Sequence, residues 1–158
     1  MDVQTRKKLI DQYKDGYRSV ADALVGAKDQ DLDARPAPGK WTAREVVHHL
    51  ADSEMTSAMR LRLLLAVDGA SISGYDQDEF ARRLHYDRPI EASLEAFKAA
   101  RRTTAEILDR MTDEEWRREG THTEHGRYTI ERWLEIYSTH AHKHAEQIVV
   151  ARAAGKQQ

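Results

Sequence analysis

Cysteine is absent from the 158-residue chain, which excludes disulfide scaffolds, thiolate zinc sites, iron–sulfur clusters and cysteine nucleophiles. A reducing compartment is permitted. An excess of charge is also lacking: 25 basic residues stand against 27 acidic ones, a formal net charge of −2. Both signs are interspersed, so no field is aimed at nucleic acid. Long apolar runs are missing too. Leu63-Leu64-Leu65-Ala66-Val67 is far shorter than the ~20 residues of a membrane span, and Met1 to Lys8 has no apolar core of a signal peptide. The expectation is a soluble, cytoplasmic protein without a membrane or nucleic-acid partner. The length predicts a single domain over 1–158, large enough to bury roughly 68–70% of its unfolded surface without a structural metal. Any metal bound here is expected to be functional.

Proline is scarce, with three residues at Pro36, Pro38 and Pro89, and between them apolar side chains recur every three or four positions, as helices require. The pattern predicts an all-α four-helix bundle. A first helix is expected from Val3 to Lys28, with Leu9, Tyr13, Tyr17, Val20 and Leu24 on one stripe and Gly16 a weakening residue. Asp33 to Lys40 contains two prolines and reads as a loop. Thr42 with Glu45 forms a capping-box pattern that opens a second helix reaching Val67. A loop follows at 71–75, then a short helix from Asp76 to Leu84 and a long one from Pro89 to Met111. Arg117 to Arg127 has no helical stripe and predicts an irregular or two-stranded excursion. The last helix is expected from Thr129 to Ala154, with Gly155 as a left-handed cap.

That last helix carries the chemistry. Ile130, Trp133, Leu134, Tyr137, His140, Ala141, His144, Ala145 and Ile148 make one continuous stripe, so His140 and His144 project one turn apart on the same side and can share an ion. The alternative is that one of them is a core histidine hydrogen-bonded to a carbonyl. The Thr42 helix offers His48 and His49, about 100° apart. His49 shares a flank with Val46, Leu50 and Ser53 and is the preferred ligand, with His48 expected nearer the outer surface. His140 to His144 has the zincin spacing but no glutamate as general base. A di-iron carboxylate bundle needs two Glu-x-x-His motifs, and Glu45-Val46-Val47-His48 is unmatched on the last helix.

The segment Trp41-Thr42-Ala43-Arg44-Glu45-Val46-Val47-His48-His49-Leu50-Ala51-Asp52-Ser53 resembles the first motif of the DinB-like superfamily of metal-binding four-helix bundles, within it the YfiT-like metal-dependent hydrolases and bacillithiol transferases. Tyr137 to Ile148 is similar to the second motif, with two ligands four apart, and Gly74-Tyr75-Asp76 and His122 to Arg127 are weaker likenesses. The resemblance maps the ligands onto His49, His140 and His144 and implies a nickel or zinc site facing a cleft. It also implies a homodimer, and hydrolysis of a small substrate or transfer of a low-molecular-weight thiol.

Three neutral imidazoles leave further positions of the ion open, as catalytic sites do and structural sites do not. Asp52, three residues past His49, and Tyr137, one turn before His140, are the candidates by helical phase for handling a proton; the alternatives are a solvated carboxylate and a core tyrosine. Arg82-Arg83, Arg101-Arg102 and Arg117-Arg118 read as solvated faces, and His85, His122 and His125 as surface or loop residues, with a place lining the cleft as the alternative for His122. A non-catalytic metal- or ligand-binding bundle is the alternative function.

Overall fold

The structure, a computed structural model, describes residues 1–155. Four long helices make the bundle: α1 (Val3–Leu24), α3 (Ala43–Ala66), α5 (Glu91–Leu108) and α6 (Ile130–Gly155), with short helices α2 (Asp29–Asp33) and α4 (Gln77–Arg83) between them. Helix α6 packs along α1 and α3, and α5 closes the bundle against α3 and α1. No described helix is long and apolar enough to cross a membrane.

Local chemistry explains most boundaries. The Thr42–Glu45 capping box forms, with Thr42 N donating to Glu45 Oε2 at 2.7 Å and Glu45 N to Thr42 Oγ1 at 3.2 Å. Thr129 Oγ1 accepts from Arg132 N at 3.0 Å and opens α6. The first helix stops at Leu24 rather than Lys28, because Gly26 turns the chain at φ 69°. Helix α2, absent from the sequence reading, is short and held from a distance: Arg44 on α3 binds Asp29 and Asp33 at its two ends. Gly155 is the last helical residue rather than a left-handed cap.

The excursion before α6 is two-stranded. Strands β2 (Glu119–His122) and β3 (Gly126–Thr129) pair antiparallel, and β1 (Ser71–Ile72), expected as loop, joins β2 in parallel with Ser71 opposite Thr121. This small sheet positions the hairpin His122–Gly126 over one end of the bundle.

The core contains a charged girder. Arg101, expected on a solvated face, is 2% exposed. Its guanidinium pairs with buried Glu54 on α3 and donates to the Tyr13 and Tyr137 carbonyls of α1 and α6. The apolar surroundings leave room for the ion pair because Gly16 lacks a side chain. A Cβ at Gly16 would stand 2.6 Å from Arg101 Nη2 and 2.7 Å from Ala141 Cβ. An open helical glycine gains about 1 kcal/mol on replacement by alanine. Gly16→Ala should instead destabilise by about 1–3 kcal/mol through overpacking, read as a lower denaturant midpoint; a raised midpoint would show that α1 and α6 separate freely.

Candidate metal centre

Helix α3 brings His49, and α6 brings His140 and His144, to one point between the helices. The Nε2 atoms of His49 and His140 are 3.4 Å apart, and those of His140 and His144 are 3.1 Å apart. Nitrogens 2.0–2.1 Å from a tetrahedral zinc are about 3.3–3.4 Å apart along the tetrahedron's edges, so the three rings fit one ion. His144 Nδ1 lies 2.8 Å from Gln147 Oε1. The amide oxygen accepts, so the ring proton sits on Nδ1 and the Nε2 lone pair faces the other two rings. His49 Nδ1 is buried without a partner, and its ring rests on Trp41 at a centroid distance of 4.8 Å.

Burial sets the protonation. It pushes His49 down to about 3 and His140 down to about 2, with the neighbouring imidazoles adding to both shifts, and it lowers His144 as well. Proton competition for the lone pairs therefore sets in below the 6.5 of a free imidazole. His48 and His122 are lowered by burial too. A histidine held neutral in the folded state forgoes a proton that its unfolded counterpart binds. Stability is thus full above pH 6.5 and falls as pH drops below it, by about 1.4 kcal/mol per pH unit for each imidazole that stays neutral. Denaturant unfolding of the metal-free protein at pH 7 and pH 5 should show this loss; equal stability at both would contradict it.

His48 and His142 are structural tethers. His48 is fully buried, not near the surface: Nε2 donates to Arg88 O at 2.9 Å and Nδ1 meets Ser93 Oγ at 2.8 Å. Val47 and Ala51 are buried beside it, so α3 is covered on every side over residues 46–51 and periodicity has no outer face to assign there. His142 turns to α1, donating from Nε2 to Gln12 O at 3.0 Å.

A cavity of about 230 Å³ opens from His49 and His140 toward Arg60, Tyr75, His122 and Tyr128. His122, buried on β2, lines it, which is the alternative to a surface place, and His125 borders it as an exposed turn residue, as expected. A second hollow reaches His144 and Gln147 past Trp41. Tyr137 lies in the first cavity, its ring edge-on to His140 and its hydroxyl accepting from Arg60 Nη1 at 3.1 Å. The Asp52 carboxylate accepts from the Tyr86 hydroxyl at 2.7 Å and is not among the residues lining the cavity. Arg60 and Tyr128 escaped the sequence reading, while Tyr75 and Gln147 entered it only inside family-like segments, with no role assigned. Arg60 had a signal, because it follows His49 by three helical turns on one face.

The sequence matches the DinB superfamily over residues 12–148. It is 31% identical over 139 residues to a "Putative metal-dependent hydrolase" of Oceanobacillus iheyensis, covering 88% of this chain and 81% of that protein. A relative of the same description from Geobacillus thermodenitrificans is 28% identical, with 94% and 87% covered. Among solved structures, YfiT from Bacillus subtilis, described as "a probable metal-dependent hydrolase with an unusual four-helix bundle topology", superimposes with a TM-score of 0.90 at 27% identity over 98% of this chain and 90% of that one. By sequence and by fold, the chain belongs to the DinB superfamily.

Proposed function

We propose that the chain is a metal-dependent hydrolase of a small molecule, with His49, His140 and His144 holding one zinc or nickel ion. The observation that carries this reading is the convergence of three neutral imidazoles, His49 and His140 of them lining an open cavity, with no carboxylate among the three. Bound there, the ion would supply Lewis acidity that activates water or a thiol and polarises an electrophile. The protein's own part is to keep the rings neutral by burial, to fix His144 through Gln147 and to place Tyr137 beside the reacting group. The Tyr137 hydroxyl is kept protonated by burial, which raises its pKa, so it serves as a donor to developing negative charge.

Thiol transfer is the second reading, favoured by the position of Asp52. Its carboxylate is engaged with Tyr86 outside the cavity, and a thiol that ionises readily needs no strong base. The two readings separate in a turnover screen of the zinc- and nickel-loaded protein against small esters, amides and thiol–electrophile pairs. Where water attacks and Asp52 takes its proton, Asp52→Asn should lower turnover about 10²-fold or more; where a thiol attacks, the same change should leave the rate nearly unaltered. Absence of turnover with every class would favour a ligand-binding bundle.

A further inference from the structure

The cavity beside the histidines has a cationic wall. Arg60 offers five N–H donors, and its recorded acceptors are both neutral: Tyr137 Oη at 3.1 Å and Ser73 O at 2.7 Å. Among the described residues it has no carboxylate partner. The guanidiniums of Arg44, Arg101 and Arg118 are each matched by Asp or Glu. Arg62 and Arg152 also bind neutral acceptors, but neither lines this cavity. Arg60 Nε is buried and unpartnered.

The surrounding groups add donors rather than charge balance. The Tyr75 ring lies 5.8 Å from the Arg60 guanidinium carbon, and Tyr128 and Tyr137 line the same wall. Burial raises all three phenols, which stay protonated. His122 Nδ1 accepts from Glu124 N at 3.2 Å, which leaves its proton on Nε2. The carboxylate of the wall is Glu124, an exposed residue seated against Gly74, where a Cβ would come within 2.4 Å of it. Asp52 is turned to Tyr86. A partly buried guanidinium without a counter-charge is costly unless something anionic completes it.

We propose that this cavity selects a substrate bearing an anionic group, a carboxylate or a phosphate, which Arg60 binds while the reacting bond lies at the histidine end. The proposal rests on the reading of the site as an enzyme's, and it names the substrate class. Arg60 suits the task because a planar guanidinium grips both kinds of oxyanion by paired, charge-assisted hydrogen bonds. The cavity's 230 Å³ limits the enclosed part of the ligand to a small group.

Calorimetric titration of the full-length, metal-loaded protein with glutarate, inorganic phosphate and neutral glutaramide tests this. Glutarate or phosphate should bind at least about tenfold more tightly than glutaramide, and whichever binds tighter identifies the oxyanion. Arg60→Gln should remove that preference while metal content stays unchanged, and Arg60→Lys, which keeps the charge but not the fork, should retain part of it. Binding of both glutarate and phosphate no tighter than that of glutaramide by the unaltered protein would overturn the proposal without any variant. So would an Arg60→Gln protein, folded by circular dichroism, that holds the anions as tightly as the parent. If the chain takes up no metal, the enzyme reading fails by itself, and the same titrations on the metal-free protein still measure Arg60.

Discussion

Replacing His140 by alanine should abolish stoichiometric binding of zinc or nickel while leaving the helical bundle intact. His140 Nε2 is the nitrogen shared by both close pairs of the cluster, so its loss leaves His49 and His144 without the middle ligand. Binding energies of about 10–16 kcal/mol spread over four zinc ligands amount to ~3 kcal/mol each, or roughly 10²-fold or more in affinity. Gln147→Ala, which frees only the orientation of His144, should cost ~10–100-fold. The fold should survive both changes because its core is apolar and continuous without the histidines, from Val20, Val46 and Leu50 to Phe97 and Ile148. Equilibrium competition against a chromophoric chelator measures the affinities, and circular dichroism the fold. Unchanged affinity in the His140 variant would remove the ligand set.

The largest effect on stability is expected at Arg101. Its replacement by methionine strands the Glu54 carboxylate, 1% exposed, with the Tyr13 hydroxyl as its remaining strong partner, and it removes the cross-links to the Tyr13 and Tyr137 carbonyls, which keep only their intrahelical donors. Breaking one side of a buried ion pair costs about 3–5 kcal/mol, which for a domain of this size lowers Tm by roughly 10 °C. Replacing both partners, Glu54→Leu with Arg101→Met, should recover much of the loss, since a matched apolar pair carries no stranded charge. A double variant less stable than either single one would contradict this account. Because Arg101 also holds the Tyr137 carbonyl, one turn before His140, the single variant should loosen the metal centre along with the core.

The sequence disclosed those features that repeat along a single helix. The stripe of α6 announced His140 and His144 together, and Thr42 with Glu45 marked the start of α3 within a residue. Features that depend on distant partners stayed hidden. Strand β1 is two residues long and exists because Thr121, 50 positions away, pairs with Ser71; no local propensity encodes it. His48 is read as facing outward because hydrophobic periodicity assumes one solvent-facing side, which α3 has at Met55 and Met59 but not over residues 46–51. Arg101 was misread as solvated on account of its charge, although it falls on the stripe of Phe97, Ala105 and Leu108, where an arginine signals a buried partner. Glu54 occupies the matching position between Leu50 and Leu61 on α3. A charged residue in phase with an apolar stripe on each of two helices is a legible sign of such a pair.

X-ray absorption of the zinc-loaded protein at neutral pH tests the central claim most directly. One zinc per chain in a shell of three imidazole nitrogens, with stoichiometric zinc lost in His140→Ala, is the predicted result. Absence of bound zinc, or a shell dominated by protein carboxylates and unaffected by that substitution, would contradict it.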